Sequence, residues 1–141
     1  MLTIKRLSIA DAHLLIEGAR NKANEFGIPM CIAITDESGN LMAFERMDGS
    51  KVTAAHIAID KSFTASAGKK GTDAYGPVVQ PGAPAFGINT AIGGRLIVVG
   101  GGVPVEFEGE VIGAIGVSAG SPTQDQEAAQ AGIDHMMAQY A

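Results

Sequence analysis

Two short turns between apolar runs restrict this chain more than any other feature. Pro29 to Thr35 and Leu41 to Arg46 read as strands separated by Asp36-Glu37-Ser38-Gly39-Asn40, and Val103 to Phe107 is separated from Glu110 to Ser118 by Glu108-Gly109. Loops this short join antiparallel neighbours, because a parallel return needs a crossover of a dozen residues or more. The chain is thereby committed to hairpins. The repeating strand–helix–strand units of a doubly wound parallel sheet are excluded.

Helical segments stand on either side of these hairpins. Ser8 is placed to cap a helix from Ile9 to Phe26, with Asp11 closing a capping box and Gly27 as the stop. Ile9, Ala12, Ile16, Ala19, Ala23 and Phe26 recur at three- and four-residue spacing and predict its buried face. A second helix, Val52 to about Ala67, is rich in alanine, and we expect that face to meet a second copy of the chain closely. Ser121-Pro122-Thr123-Gln124 combines an N-cap, a proline at the first helical position and a closing Gln. It opens a last helix that Ala129, Ile133, Met136 and Tyr140 carry to about Tyr140. Leu96 to Val99 reads as one more strand ahead of Gly100-Gly101-Gly102. Gly68 to Gly94 holds seven glycines and three prolines, too long for an ordinary connection, and predicts a binding loop or a short helix. The order α-β-β-α-loop-β-β-β-α describes one α+β domain over residues 1–141.

Composition narrows the function classes. Hydrophobic residues at 46% against 18% charged support a packed core, built from aliphatic side chains because aromatics are only 5%. The net charge of −5, with no stripe of Lys or Arg, argues against a nucleic-acid partner. The lone Cys31 excludes an internal disulfide and a multi-cysteine zinc site, and its apolar strand predicts an inert buried thiol. No metal site is expected, since His13, His56 and His135 fall on three different helices. The uncharged stretch Ala74 to Gly94 is broken by Pro77, Pro81 and Pro84, so no membrane partner is expected, and the start lacks a signal-peptide run. The reading is cytoplasmic.

Few residues point to chemistry. A phosphate loop fails at Asp48-Gly49-Ser50-Lys51 for want of the upstream glycine, and Gly116-Val117-Ser118-Ala119-Gly120 lacks the immediate helix of a nucleophile elbow. His56 has Asp60 four residues on, where a carboxylate can hold an imidazole or form a solvated helix pair. Arg46 ends a strand and Lys61 interrupts an Ala-rich helix face; each can bind a carboxylate or form a salt bridge. Gly100-Gly101-Gly102-Val103-Pro104 offers bare backbone that kinks the strand or receives a ligand.

These motifs join into a pattern. Arg46-Met47-Asp48-Gly49, Lys61-Ser62-Phe63-Thr64-Ala65, Gly101-Gly102-Val103-Pro104, Gly113-Ala114-Ile115-Gly116-Val117-Ser118 and Gln124-Asp125 with Ala129 and Gly132 resemble the GlcG/HbpS family. That family includes the C-terminal domain of PduO-type corrinoid adenosyltransferases. The resemblance implies a profilin-like or PAS-like α+β domain with a five-stranded antiparallel sheet flanked by helices. It also implies homo-oligomers and, in several members, bound haem. Ser62, Phe63 and the segment Gly68 to Gly94 depart from the family pattern.

Haem requires an apolar slot, cations for two propionates and usually an axial ligand. Val78, Val79, Phe86 and Ile88 are candidates for the slot, Arg46 and Lys61 for the propionates, and His56 is the histidine expected to contribute most. The expected pocket joins the backbone of Gly101, Gly102 and Pro104 to Arg46, Lys61 and the first turn of the last helix, where Asp125 lies. A small-molecule-binding domain is therefore expected, with haem or a related tetrapyrrole as ligand. The alternative is a small enzyme without an organic cofactor, acting on a carboxylated or hydroxylated substrate of a catabolic pathway.

Overall fold

The structure is a computed structural model and describes residues 1–141. Its helices begin where their caps dictate. Ser8 Oγ accepts the Asp11 N–H while the Asp11 carboxylate accepts the Ser8 N–H, and this box opens α1 (Ile9–Phe26). Gly27 closes it in the left-handed region at φ 69°. Strands β1 (Cys31–Asp36) and β2 (Leu41–Arg46) form the first hairpin. The Asp36 carboxylate holds its turn by accepting the N–H groups of Ser38 and Asn40.

Helix α2 (Val52–Gly68) leads into a 3-10 turn at Thr72–Val78, further irregular chain, and a four-residue helical turn, α3 (Ala91–Gly94). The second hairpin pairs β3 (Gly102–Phe107) with β4 (Glu110–Ser118). Its two turn residues, Glu108 and Gly109, have φ of 50° and 80°, as a type I′ connection requires. Ser121 and Gln124 then cap α4 (Pro122–Met137) reciprocally, and a 3-10 turn runs to Tyr140.

The sheet has the order β2-β1-β4-β3, with every pair antiparallel. It has four strands, not five. Leu96–Val99 joins no strand, because its backbone is tied to α2: the Ile97 N–H donates to Thr64 Oγ1 at 3.0 Å. Both sides of β4 are already paired, one with β1 and the other with β3. Pro104 is tolerated in β3 because that strand lies at the edge.

Helices α1 and α4 cover one face of the sheet. The main core lies there, built on Leu15, Ile16, Met30, Ile32, Ile34, Val105, Ile115, Val117 and Met136. Each large aliphatic side chain so buried contributes about 1.5–3 kcal/mol. Leu15 and Gly18 belong to the buried face of α1, whereas Ile9, expected there, is exposed. Gly18 and Gly132 let the helices touch, since a Cβ at Gly18 would lie 2.5 Å from His135 Cβ. The α-helical part of α4 ends at Met137, and Tyr140 is exposed. Tyr140 stacks at a tilt on Phe107 and donates to Asp11 Oδ1 at 2.6 Å.

Helix α2 covers the other face, with Thr72 of the 3-10 turn beside it against Gly102. Ala54 and Ala58 pack on Cys31 and Ala33, and a Cβ at Gly116 would fall 2.1 Å from the Ala58 carbonyl. Ala54, Ala58 and Ala65 are buried within the chain, so these alanines meet the chain's own sheet and not a second copy. Cys31 is the expected buried thiol.

Candidate functional site

Lys61, Gly101, Gly102 and Asp125 come together. Lys61 sits on the sheet-facing side of α2, where its ammonium is 2% exposed and must find partners inside the protein. Its Nζ donates to Asp125 Oδ2 at 2.8 Å and to the Val117 carbonyl at 2.9 Å. The other carboxylate oxygen of Asp125 accepts the Gly120 N–H at 2.9 Å. Gly101, at φ 128°, gives this pair its room, because a Cβ there would lie 2.6 Å from Lys61 Nζ. Gly102 presses on the α2 backbone, where a Cβ would meet the Lys61 carbonyl oxygen at 2.4 Å. The pair therefore ties α2, across the end of β4, to the first turn of α4.

A seam of buried hydroxyls continues along α2. Ser62 Oγ lies 2.8 Å from Thr35 Oγ1 and donates to the Ala114 carbonyl, while Thr72 Oγ1 accepts the Gly102 N–H at 2.9 Å. No buried side-chain nitrogen or oxygen lacks a partner, so the seam aims no orphan group at a ligand. The departure at Ser62 from the family-like run was its only trace in the sequence.

Arg46 stands elsewhere. It is exposed and forms no ion pair. It borders an open groove of about 640 Å³ at the end of the sheet, with Arg20, Asn24, Glu45, Met47 and Asp48 among the lining residues. Arg20 is engaged by Glu45 in a two-pronged pair at 2.8 and 3.2 Å. Neither Lys61 nor Asp125 lines this groove, so the two cations expected to act together are separated.

A second groove, of about 440 Å³, opens beside Gly100 and the start of α4, where the expected pocket lay. Its ionisable walls are Asp73 and Glu127, with no cation among its lining residues. The N–H groups nearby are also engaged: Gly101 donates to Gln126 Oε1 at 3.1 Å, and Gln124 donates to Ser121 Oγ. This groove does not favour an anion. Pro104 lies in β3 opposite Ala114 and lines neither groove.

The histidines all lie outside the cavities. His56 is exposed on α2 and does not meet Asp60, whose carboxylate instead accepts Arg95 Nε at 2.9 Å. His13 is exposed on α1, and His135 is half-buried, 3.5 Å from Glu17. No group of three or more His, Cys, Asp or Glu side chains is arranged for a metal. Val78, Val79 and Ile88 are half-buried and Phe86 is exposed, with no cavity lined by the four. The largest carboxyl pKa shift lies at the opposite end of β1 from Arg46, where the Arg6 guanidinium lowers Glu37 to about 2.

The family model described as "Haem degrading protein HbpS-like" matches residues 7–134. The corrinoid adenosyltransferase PduO of Salmonella typhimurium is 34% identical over 90% of this chain, which spans only 38% of PduO. Among solved structures, the ORFY protein of Klebsiella pneumoniae superposes with a TM-score of 0.96 at 33% identity, covering 98% of this chain and 95% of ORFY. The structure described as a PduOC:heme complex superposes with a TM-score of 0.89 at 33% identity, covering 92% of this chain and 94% of PduOC. No helix here is long and apolar enough to cross a membrane.

Proposed function

The chain belongs to the HbpS-like family, and on that premise we propose that it binds haem as a cytoplasmic homo-oligomer. The observation that carries this reading is its likeness, over nearly its whole length, to a domain solved as a heme complex. Arg46 fits the propionate end of such a ligand: its guanidinium has no internal carboxylate partner and borders a groove walled in part by Ile28, Pro29 and Met47. Arg20 adds a second positive group to that wall, though Glu45 already engages it. For the iron, His56 is open to an approaching haem, as is His13, while His135 is half-buried beside Glu17. Bound haem would supply redox-active iron.

Lys61, Gly101, Gly102 and Asp125 enter this reading as support. Their buried pair holds the backbone from Val117 to Gly120 against α4, and they need not touch the ligand. Pro104 shapes the neighbouring edge strand.

The unpaired Arg46 also favours a second reading, in which the groove holds the carboxylate of a small substrate that the protein converts without an organic cofactor. Titration with haemin decides between the two. A saturable shift of the Soret band at micromolar protein supports haem binding. A colourless protein with no saturable change overturns it and leaves the second reading, tested by turnover of small carboxylic acids.

A further inference from the structure

We propose that a pocket between the segment before α1 and the turn end of the β3–β4 hairpin binds a neutral compound of one aromatic ring carrying an oxygen acceptor, such as an aryl amide or ketone. The proposal does not rest on haem binding, since no residue lines both this pocket and the Arg46 groove.

The pocket is a gap of about 230 Å³ at one end of the main core. Its floor is Ile112 of β4 and Met136 of α4, both buried members of that core. One wall is aromatic: the ring centres of Phe107 and Tyr140 are 5.5 Å apart, with the planes tilted by 60°. The gap stays open because α4 gives way to a 3-10 turn at Ala138, and Tyr140 then reaches out to Phe107 and Asp11 instead of covering the floor.

Size and surface select the body of the ligand. An apolar cavity of about 150 Å³ holds benzene. The larger volume here admits one ring with a short substituent and is far too small for a tetrapyrrole. An aromatic ring meets the Phe107–Tyr140 pair edge-to-face or offset, and the Met136 thioether at its edge, contacts that an aliphatic ring forgoes.

The polar atoms at the mouth select the head group. Lys5 pairs with Glu108, and Arg6 engages Glu37 through Nε and Nη2, so both cations are already neutralised. Asp11 adds a negative charge to the lining, and an anionic ligand is disfavoured. A cation gains little either, because the Asp11 carboxylate already accepts the Ser8 N–H, the Ser8 hydroxyl and the Tyr140 hydroxyl. Partial burial pushes the Asp11 pKa up, but those bonds outweigh it and hold the group ionised, below its ordinary value. What remains is a surplus of donors. An ammonium has three N–H groups and a guanidinium five, so Lys5 keeps two and Arg6 keeps its Nη1 group without a protein partner. Free donors above an apolar floor call for a neutral acceptor, which a carbonyl oxygen supplies.

Methionine-methyl NMR of the full chain, titrated with benzamide, tests this. The Met136 resonance, assigned through Met136→Leu, should move and saturate, while that of Met47 beside Arg46 stays still. Benzoate and cyclohexanecarboxamide should each bind several-fold more weakly than benzamide, the first for its charge and the second for its lack of an aromatic ring. This ligand series on the wild type needs no variant, so it holds however the substituted chains fold. Phe107→Leu should weaken benzamide several-fold with unchanged circular dichroism. Lys5→Met with Arg6→Met should weaken benzamide and leave toluene unaffected, a difference that a merely structural role for the two cations would not give. A Met136 resonance that does not saturate, benzoate or cyclohexanecarboxamide binding as tightly as benzamide, a silent Phe107→Leu, or equal losses of benzamide and toluene in the double variant would each overturn the assignment.

Discussion

Lys61 Nζ and Asp125 Oδ2 lie 2.8 Å apart with their side chains 2% and 3% exposed, and this pair joins two helices on opposite faces of the sheet. A pair so placed loses two hydration shells on folding, and its mutual attraction does little more than offset that loss. Breaking it is another matter, because one charge remains in the interior alone.

Lys61→Ala is therefore expected to cost about 3–5 kcal/mol of stability. Replacing both partners, with Lys61→Met and Asp125→Asn, which keeps an acceptor for the Gly120 N–H, should recover part of that loss. Urea unfolding of the three chains measures it. A Lys61→Ala protein as stable as the wild type would show that the pair does not hold α2 to α4.

Gly101→Ala should be more damaging than Gly109→Ala, although both glycines have positive φ. A Cβ at position 101 meets Lys61 Nζ and the Val117 carbonyl at 2.6 Å, while at 109 it meets open space. The turn substitution should cost about 1 kcal/mol from its backbone strain alone. Thermal melting of the two variants compares them, and equal losses would contradict the packing argument.

Arg46→Ala is expected to weaken haemin binding roughly 10-fold or more, since a hydrogen bond to a charged group contributes about 1.5–3 kcal/mol. It should leave stability nearly unchanged, because Arg46 is exposed and forms no ion pair. His56→Ala should move the Soret maximum or lower affinity, with His13→Ala and His135→Ala nearly neutral. Wild-type affinity in Arg46→Ala would place the propionates elsewhere, and identical spectra for all three histidine variants would remove histidine from the iron.

Arg6 and Glu37 set an acid dependence. The guanidinium holds the Glu37 carboxyl at about 2, below its ordinary value of 4.5. A carboxyl lowered on folding contributes stability that is complete above its unfolded pKa and fades as pH falls through the folded one. The stability difference between wild type and Arg6→Ala should therefore be constant near neutrality and shrink between about pH 4.5 and pH 2. Unfolding curves across that window check it, and a difference independent of pH would assign the contribution to packing.

The sequence by itself determined what local chemistry controls. Ser8 with Asp11 and Ser121 with Gln124 mark the starts of α1 and α4, because a cap is a bond between residues three apart. The two hairpins were equally legible, since Gly39 and Gly109 supply positive φ where tight turns need it. Tertiary structure decided the rest. Leu96–Val99 has the composition of a strand, yet its backbone bonds to Thr64, a partner thirty-three residues from Ile97 that no local pattern reveals. Lys61 and Arg46 looked alike as cations in family-like motifs. Lys61 is turned inward to Asp125, sixty-four residues away, and Arg46 is left open at the sheet's end. Which charge is neutralised inside and which stays free for a ligand depends on long-range pairing, and only the folded chain brings those partners within reach.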